Sequence, residues 1–534
     1  MEYDEVCRKL AEEIESGVVT TKKELDHRKQ ELSKEYHLHK LISNPDILSV
    51  SSSEKVQTLV QRKPTRTISG VAIIAVMTRP HPCPHGRCIY CPGGKTTPQS
   101  YTGEEPAAMR GIQYNYDPYL QVEARLNQLH AIGHSTDKCE LILMGGTFPS
   151  EDLDYQEYVV KRCFDAFNEK DSMYVEDALQ KNESSENRVI GLTFETRPDW
   201  CQKHHVERML HFGATRVELG VQNLYDFIYK KVERGHAVKD VVSATRYVKD
   251  AGLKVGYHMM PGLPGSDLER DLKAFERLFS DPRFRPDMLK VYPCQVLEDT
   301  KLYELYKKGE YTPYTEEELI DLLVEIKKLL PKYVRIMRIG RDIPSFLIAA
   351  GMKKTNIGQI VSGRLSDLNI ACQCIRCREV GRNMLRGIYP DFESINLVKT
   401  EYSASSGKEI FLSFEDVQNN LLIAFLRLRI PENSWKSEIG DNAAIVRELR
   451  VYGPLVPLGK KPVKEWQHRG YGEDLLREAE RLSLKHRKSK LLVCSGVGVK
   501  PYYENLGYFR TGPYMGVDLN ELGSPARRSE TKST

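Results

Sequence analysis

The stretch "VAIIAVMTRPHPCPHGRCIYCPGG" (71–94) decides the fold, because an apolar run leads directly into a loop rich in cysteine, proline and glycine. The run 71–76 is typical of a buried strand. Cys83, Cys88 and Cys91, the first triplet, follow it in a C-x4-C-x2-C spacing. Thiols so close together in an intracellular chain bind metal more often than they form disulfides. The stretch therefore predicts a metal centre directly after the first strand of a domain.

The composition is that of an ordinary globular protein. The chain has 534 residues, of which 40% are hydrophobic and 28% are charged, and this length predicts two to four domains. No run of about 18 apolar residues occurs, which argues against a membrane span. The N-terminal "MEYDEVCRKLAEEIESG" lacks the apolar segment of a secretory signal. We therefore expect a cytoplasmic protein without a membrane partner.

Apolar and amphipathic segments alternate between residues 71 and 294. The strand-like segments are 71–76, 141–146, 189–196, 215–222, 254–265 and 288–294, and the helix-like ones include 119–129, 204–212, 238–251 and 267–279. This alternation predicts a parallel sheet built from right-handed strand–helix–strand units. Six units are fewer than the eight of a closed barrel. The predicted α/β fold is therefore a partial (βα)6 barrel.

The C-terminal ends of the predicted strands carry the candidate functional residues, since ligands of such sheets bind at that edge. The residues at these ends are Cys83, Gly145, Arg197, Gln222 and His258. Gly145 and the adjacent Gly146 would allow a ligand to approach the backbone closely. Arg197 and Gln222 suit either a ligand contact or a structural hydrogen bond.

Composition divides the chain into five segments. The stretch 332–382 has ten Lys and Arg against three Asp and Glu, which suits a polyanionic partner or a merely solvated face. Beyond it the strand-like runs 408–414, 421–428 and 442–453, a helix at 473–486 and a strand at 490–494 indicate an α+β unit. The predicted segments are a helical, basic N-terminal region at 1–68, the barrel at 69–331, a basic connector at 332–390, the α+β domain at 391–522 and a disordered tail at 523–534.

The first triplet suits two kinds of metal centre. Three cysteine thiolates can hold three irons of a 4Fe–4S cluster and leave the fourth iron open to a ligand. A closed zinc site is the alternative, and it needs a fourth ligand. His81 and His85 are the candidates for that ligand.

The context of the first triplet resembles that of the radical S-adenosylmethionine enzymes. Tyr90 fills their aromatic position before the last cysteine, and "MGGTF" ends the next strand. The loop is one residue longer than their usual C-x3-C-x2-C spacing. The resemblance implies that the first triplet holds a 4Fe–4S cluster and that the nucleotide is cleaved to a 5′-deoxyadenosyl radical. It also implies contacts to S-adenosylmethionine from Gly145, Gly146, Arg197 and Gln222.

The segment "QHRGYG" (467–472) matches the pattern Q/R-x-x-G-x-G between a strand and an amphipathic helix. Glycines leave backbone N–H groups free to face phosphates, and the N-terminal dipole of the following helix favours them. The pattern resembles the pyrophosphate loop of the GNAT acetyltransferase fold. Further on, "YYENLGY" (502–508) resembles the segment in which a tyrosine of that fold meets the thioester sulfur.

Longer motifs extend the resemblance over residues 1–520. They are "CPHGRCIYCPGG", "QSYTGEEPAAMR", "DKCELILMGGTF", "TFETRPDWC", "ELGVQ", "MPGLPG", "VYGPLVP", "QHRGYG" and "SGVGVKPYYENLGY". Together they resemble the catalytic (third) subunit of Elongator, in a version with the short cysteine loop of stand-alone archaeal or bacterial members. This implies a radical enzyme that uses acetyl-CoA to form 5-carboxymethyluridine at wobble position 34 of tRNA.

Motif matching to that family also implies individual roles. Tyr503 and Lys138 would be catalytic, although a lysine placed before a strand is ordinarily just solvated. The implied acetyl-CoA contacts are Lys138, Glu448, Leu449, Arg450, Val451, Gln467, Gly470, Tyr471, Gly472, Glu473, Tyr502 and Tyr503.

The implied partner is the anticodon stem-loop of tRNA. Anticodon loops are recognised as splayed single strands by basic and aromatic groups. The cations of "RKPTR" (62–66) and of the connector 332–382 are the expected phosphate contacts. The sequence leaves open what donates electrons and whether the chain forms a homodimer.

A protein lysine acetyltransferase, with the cluster domain as a scaffold, is the alternative function. Such an enzyme needs a general base to deprotonate the lysine ammonium. No carboxylate is clearly placed for that role near Gln467 or Tyr503. A binding protein with two vestigial sites is disfavoured because both sets of motifs are intact.

Cys372, Cys374 and Cys377, the second triplet, form a separate group in "CQCIRC". Three thiolates within six residues can share one zinc ion, which then needs a fourth ligand. Cys294 or a distant histidine could supply it. The sequence predicts a structural zinc site between the two domains.

Overall fold

The computed structural model describes residues 3–51, 53–61, 67–94, 96–452 and 470–521. The predicted tail 523–534, the basic segment 62–66 and Gln467 lie outside the described residues. The N-terminal region is helical, as predicted, and consists of α1 (Tyr3–Glu15), α2 (Lys22–Glu35), α3 (Asn44–Val50) and α4 (Glu54–Val60). These helices pack around a small core of their own, which includes Val6, Leu10, Leu25, Leu32 and Ile47.

Seven parallel strands form the barrel sheet. The strands from here to the connector are β1 (Ala72–Met77), β2 (Lys138–Met144), β3 (Arg188–Thr196), β4 (Arg216–Gln222), β5 (Lys254–Met259), β6 (Met288–Val291), β7 (Val296–Leu297), β8 (Arg335–Ile339) and β9 (Ile348–Ala350). The order in the sheet is β1-β2-β3-β4-β5-β6-β8, and every neighbouring pair is parallel. β7 and β9 form a separate antiparallel pair. The sheet is therefore an open partial barrel.

The prediction of six strands is wrong by one. All six predicted strands are present, and β8 is the seventh, although the sequence placed it in the basic connector. Arg335 and Arg338 gave this segment a polar appearance. The Arg335 guanidinium is buried, and it donates to Glu379 at 2.9 Å and to the Tyr452 hydroxyl at 2.7 Å. A strand whose cations are neutralised by distant residues has no apolar signature of its own.

The helices of the barrel lie between its strands and bury apolar side chains against the sheet. They are α5 (Pro106–Gln113), α6 (Pro118–Ala131), α7 (Leu153–Asn168), α8 (Val175–Asn182), α9 (Lys203–His211), α10 (Asp226–Lys231), α11 (Val238–Asp250), α12 (Leu268–Ser280), α13 (Lys301–Lys307) and α14 (Glu316–Lys328). Val122, Phe164, Val248, Phe275 and Leu323 belong to the continuous core between these helices and the strands. The inner side of the sheet is left to line a cavity.

The connector is folded against both domains, and part of its positive charge is buried inside the protein. Its helices are α15 (Ile357–Asp367), α16 (Ile375–Arg378) and α17 (Val380–Met384). Arg378 is buried and lies 2.7 Å from a carboxylate oxygen of Glu415. The prediction that the connector binds tRNA is therefore wrong for Arg335 and Arg378, whose charges are used inside the protein.

Among its described residues, the C-terminal domain has a second, mixed sheet of seven strands. Its elements are β10 (Ile395–Ser403), β11 (Gly407–Asp416), β12 (Leu421–Pro431), β13 (Ala443–Val451), α18 (Tyr471–Lys485), β14 (Lys490–Val493), α19 (Lys500–Asn505), β15 (Phe509–Thr511) and β16 (Tyr514–Asp518). The strand order is β10-β11-β12-β13-β14-β16-β15, in which only β13 and β14 pair in parallel. The predicted order of strands and helix from 408 to 494 is confirmed.

The C-terminal domain covers the end of the barrel at which the strands begin. Arg447 donates to the carbonyl of Leu253, just before β5, and lies 2.6 Å from a carboxylate oxygen of Asp287, just before β6. Arg429 lies 2.6 Å from Asp250. Burial raises the pKa of Asp287, but Arg447 and Lys249 more than compensate and hold it well below its ordinary value. These ion pairs of the interface are therefore fully buried, and they lie opposite the strand ends that carry the candidate site.

Within the described ranges, no helix is both long and apolar enough to cross a membrane.

Candidate active site

The first triplet lies at the C-terminal ends of the barrel strands, where the sequence placed it. Cys88 and Cys91 are buried and Cys83 is partly exposed. All three line a cavity of about 1040 Å³ on the inner side of the sheet. The cavity lining also includes the predicted residues Gly146, Arg197, Gln222 and His258. The structure therefore brings together residues that are up to 175 positions apart in the sequence.

The sulfur atoms of the two triplets are spaced differently. In the part of the chain that the structure describes, the sulfurs of the second triplet lie within 4.8 Å of one another, whereas those of the first triplet do not form such a group. Thiolates on one zinc ion, each about 2.3 Å from the metal, are about 3.8 Å apart. A 4Fe–4S cluster binds each thiolate at a different iron and so spreads them further. The first triplet fits a cluster better than a single zinc ion.

The histidines considered as zinc ligands have different surroundings. His81 Nε2 lies 2.9 Å from the Ser150 hydroxyl, and its Nδ1 lies 3.6 Å from Glu151. Both ring nitrogens therefore have polar partners other than the cysteines. His85 Nε2 lies 3.2 Å from Cys88 Sγ. Burial, followed by the charges of Arg197 and Arg234, lowers the pKa of His85 to about 3. A neutral ring with hydrogen on Nε2 can donate to the sulfur.

Arg234 is a site residue that the sequence analysis missed. Its guanidinium is buried, and Nη1 lies 3.6 Å from Cys88 Sγ, while Nη2 donates to the carbonyl of Gly220 at the end of β4. A cation beside a thiol stabilises the thiolate, which is the form that binds metal. Nothing in the local segment "KVERGHA" marks this role, because the contact is made across 146 residues.

Gln222 and the glycine pair have the geometry of ligand-binding residues. Gln222 ends β4 with φ of 70°, a left-handed conformation that is uncommon outside glycine, and its side-chain oxygen is buried without a hydrogen-bond partner among the described residues. Gly145 has φ of 143°, and a Cβ there would lie 1.9 Å from Thr78 Oγ1. Only glycine therefore fits at position 145, which brings the backbone next to β1 and leaves Gly146 at the cavity wall.

The Arg197 guanidinium makes its hydrogen bonds to other residues of the protein. Its Nε and Nη2 atoms donate to Asp199 at 3.0 and 2.9 Å, and Nη1 donates to the carbonyl of Arg234 at 2.9 Å. This geometry favours the structural role that the sequence left open. Arg197 thus positions Arg234, which in turn contacts Cys88.

Ionisable side chains form the cavity wall on β3 to β6. Lys290 Nζ lies 2.9 Å from Glu195 Oε1 and also contacts Glu218 Oε2. His258 Nε2 lies 2.8 Å from Glu218 Oε2. Of these four residues the sequence analysis had named only His258, because the acids and the lysine read as parts of ordinary strands.

The second triplet lies away from this cavity, at the start of α16. Cys372 and Cys374 are buried, and Lys327 Nζ of α14 donates to Cys377 Sγ at 3.4 Å. Cys294 is not close enough to join the group; it packs instead with Cys88, Ile89, Tyr90 and Cys91. The suggestion of Cys294 as the fourth zinc ligand is therefore wrong.

The C-terminal domain has a second candidate site where β13 and β14 separate. These strands pair only from Ala443 to Val446, and β13 has a bulge at the next residue before it continues to Val451. Helix α18 begins beside the gap. Its N-cap, Gly470, has φ of 88° and offers no side chain to cap the first turn, an arrangement that suits an anion at the start of this 15-residue helix.

Residues around this gap divide between the two faces of the sheet. A Cβ on Gly472 would meet the Tyr502 hydroxyl at 3.1 Å and the side chains of Val451 and Leu449 at 3.8 and 4.0 Å. Glu448 instead pairs with Arg427 at 2.8 Å on the side that faces the barrel. Tyr503 is buried among apolar side chains of the domain core, and this burial raises its pKa.

Lys138 lies at the barrel end that the C-terminal domain covers. It begins β2 and pairs with Arg188 at the start of β3, and a Cβ on Gly498 would lie 2.6 Å from the Cβ of Arg188. Burial lowers the pKa of Lys138. Lys138 is therefore a half-buried residue of the domain boundary, and the solvated surface position considered from the sequence is wrong.

Three family models match the chain. The model described as the Radical SAM superfamily matches residues 80–278, the Radical_SAM C-terminal domain matches 286–367 and the ELP3 N-terminal domain matches 3–68. The second match includes β8, in agreement with a barrel that continues beyond residue 331.

Curated relatives match over most of their length. The tRNA uridine(34) acetyltransferase of Methanocaldococcus jannaschii is 50% identical over 530 residues, covering 96% of this chain and 97% of the relative. Human Elongator complex protein 3 is 43% identical over 468 residues, covering 85% of each chain. A solved structure of the archaeal Methanocaldococcus infernus Elp3 with an N-terminal deletion (1–46) is 48% identical with a TM-score of 0.76, covering 85% of this chain and all of that one. The chain therefore belongs to the family of Elongator complex protein 3 and the archaeal tRNA uridine(34) acetyltransferases, and it carries the radical S-adenosylmethionine domain.

Proposed function

We propose that this protein modifies the wobble uridine of tRNA, using acetyl-CoA and a 5′-deoxyadenosyl radical to place a carboxymethyl group on C5. The observation that carries the proposal is the presence, in one chain, of a cavity lined by three cysteines and of a separate helix whose N-cap is a left-handed glycine, which suits an anion. The names of the M. jannaschii and human relatives support the tRNA substrate.

The radical S-adenosylmethionine domain implies a 4Fe–4S cluster and S-adenosylmethionine. The sulfur spacing of the first triplet fits the cluster, and the unpartnered oxygen of Gln222 fits a polar group of the nucleotide. When bound, the cluster supplies the electron that cleaves the sulfonium. The chain's own residues would hold the thiolates beside Arg234 and admit the nucleotide at Gly146.

Acetyl-CoA would bind in the C-terminal domain. The pyrophosphate would lie at the N-terminus of α18, in contact with Gly470, Tyr471, Gly472 and Glu473 together with Gln467. The pantetheine would follow β13 at 448–451, beyond the point at which this strand stops pairing with β14. Tyr502 would contact the carrier, and Tyr503 would orient the thioester.

The two proposed sites lie at opposite ends of the barrel, so the acetyl carrier must reach along the barrel interior. β3 has 9 residues, which corresponds to about 30 Å at about 3.3 Å per residue. Ile73, Ala75 and Ile142 extend the cavity lining from the cysteine end toward the C-terminal domain. Lys138 would contact the carrier at the boundary between the domains.

The proposed tRNA contacts are four of the cations on the wall of the cavity. They are Arg110, Arg125, Arg338 and Arg341. Nε of Arg110 is buried without a hydrogen-bond partner in the described part of the chain, and burial lowers the pKa of this residue to about 10. Phosphates of a splayed anticodon loop would provide partners for such groups.

Methyl-deuterated acetyl-CoA tests the shared use of one acetyl group. The proposal predicts deuterium in 5′-deoxyadenosine and a modified uridine in tRNA. Modified uridine without any label transfer would contradict it, and acetylation of a histone peptide with no effect on tRNA would favour a lysine acetyltransferase.

A tyrosine variant tests the role of the C-terminal site. Tyr503→Phe should reduce formation of modified uridine at least tenfold, since it removes a hydrogen bond to the thioester worth about 1.5 kcal/mol or more. Reductive cleavage of S-adenosylmethionine should continue. Tyr389→Phe, at an exposed position of the connector, is the matched control and should retain full activity.

A further inference from the structure

The charged wall of the cavity has two groups that the proposed function leaves unexplained. In the described part of the chain, His258 Nδ1 and the Tyr292 hydroxyl have no protein hydrogen-bond partner, and both residues line the cavity. Their rings are adjacent, with centroids 5.4 Å apart in an edge-to-face arrangement. Polar groups held side by side at a cavity wall are available to a ligand.

The buried acids and lysine fix the orientation of His258. Glu218 is almost completely buried, and its Oε2 lies 2.8 Å from His258 Nε2. Burial raises the pKa of Glu218, but the charges of Lys290 and Arg216 outweigh it and hold this pKa well below its ordinary value. An ionised carboxylate only accepts hydrogen bonds, so Nε2 carries the hydrogen and, in the neutral ring, Nδ1 is the acceptor that this cavity-lining residue can offer to a ligand.

A metal ion is not the ligand that this wall fits. Glu195, Glu218 and His258 have ligand atoms within 4.8 Å of one another. The Lys290 ammonium, however, already lies between the two carboxylates and supplies the positive charge that a cation would bring. Tyr101 occupies a further oxygen of Glu195 at 3.0 Å. Arg216 Nε lies 3.1 Å from the remaining oxygen of Glu218. Within the described residues, cations of the protein thus balance the two carboxylates without a metal, and His258 Nδ1 and the Tyr292 hydroxyl are left to a ligand.

We propose that His258 Nδ1 and the Tyr292 hydroxyl read the Watson–Crick edge of the target uracil, with Nδ1 accepting from N3–H and the hydroxyl donating to a flanking carbonyl oxygen. Uracil presents a donor between two acceptors on this edge, whereas cytosine presents an acceptor at N3. An acceptor fixed by a buried carboxylate therefore selects uracil, because cytosine would leave two acceptors facing each other. This inference rests on the proposed function and assigns its base-recognition site.

Anticodon stem-loops with U34, C34 or N3-methyluridine at position 34 test the proposal on the reconstituted holoenzyme. Fluorescence anisotropy should show that the wild type binds the U34 loop about tenfold or more tightly than the other two. His258→Asn should bring these ratios close to one while affinity for the C34 loop stays unchanged. Tyr292→Phe, which keeps the shape of the ring, should reduce the U34 preference a few-fold.

The controls separate a folding defect from a recognition defect. Iron content and unfolding temperature are measured for each variant, and His211→Asn, at an exposed position outside the cavity, should behave as the wild type. Retention of the full U34 preference by both cavity variants would overturn the proposal while leaving the proposed function intact. A wild type that neither prefers U34 nor modifies it would overturn both.

Discussion

The first triplet and the second triplet place the same three thiols in different surroundings. The first spans nine residues of a loop, opens into a large cavity and has widely spaced sulfurs. The second spans six residues at a helix start, has all its sulfurs within 4.8 Å and packs between a barrel helix and the C-terminal domain. Loop length and open space, more than the number of cysteines, decide whether such a group suits a reactive cluster or a single structural ion.

The polar groups that contact the two triplets also differ in whether they belong to the cavity. Arg234 and His85 contact Cys88, and both residues also line the cavity. Lys327 reaches Cys377 from a helix that has no part in the cavity. The surroundings of the first triplet thus connect it to a ligand site, whereas those of the second connect it to the protein core.

The largest expected effect comes from removing one thiol of the first triplet. Cys88→Ser should reduce cleavage of S-adenosylmethionine by at least about 10³-fold, because the cluster loses one of its three protein ligands. The unfolding temperature should change little, since serine has nearly the volume of cysteine and Cys88, although buried, lines the cavity. Liquid chromatography of 5′-deoxyadenosine measures the effect. Wild-type cleavage by this variant would remove the functional difference between the triplets.

Removing a thiol of the second triplet should have the opposite pattern. Cys374→Ser should lower the unfolding temperature by roughly 5–10 °C, because a buried metal site contributes folding free energy. Cleavage of S-adenosylmethionine at 25 °C should remain within about twofold of the wild type. Calorimetry and the same chromatographic assay measure the two quantities. A variant of normal stability that has lost cleavage would reverse the comparison.

The position of each triplet in the fold could be predicted from the sequence, but the partners of the cysteines could not. Strand and helix periodicity placed the first triplet at a strand end because the signal is local. Arg234 and Lys327 reach the triplets across 146 and 50 residues, and such contacts leave no local pattern. Long-range ion pairs also explain why Arg335 was mistaken for a tRNA contact and why β8 was missed.

β10 shows a different reason why a strand could not be predicted from the sequence. This strand lies at the edge of its sheet, and its residues are half-buried or exposed throughout. An edge strand with so few buried side chains lacks the alternation that identifies a strand. In the candidate site the sequence predicted the strands but not their functional residues. Glu218 and Lys290 lie in strands whose apolar neighbours dominate the sequence pattern, so nothing marks these two residues as special.

A smaller effect is expected at Gln222, on the ligand side of the first triplet. Gln222→Ala should weaken binding of S-adenosylmethionine about tenfold, because one hydrogen bond from a buried site is lost. Gln222→Asn keeps the amide and controls for its chemistry, and zinc content should not change in either variant. Equilibrium dialysis measures the affinity. Unchanged binding in the alanine variant would separate Gln222 from the nucleotide site.

The smallest effect is expected at His85. Replacing the ring by His85→Phe removes the hydrogen bond to Cys88 Sγ and should make the cluster harder to reduce, since donors to sulfur raise the potential. At a fixed solution potential the reduced fraction, measured by electron paramagnetic resonance, should fall a few-fold. His204→Phe, on α9 outside the cavity lining, is the control. An unchanged reduced fraction would show that His85 only fills space.

Metal analysis of two triple variants tests most directly that the triplets hold different metals. After anaerobic reconstitution, the wild type should contain about four irons and about one zinc per chain. Replacing the first triplet by alanine should remove the iron and leave the zinc. Replacing the second triplet should remove the zinc and leave the iron together with its absorption band near about 400 nm. Zinc lost with the first triplet, or iron lost with the second, would contradict the account.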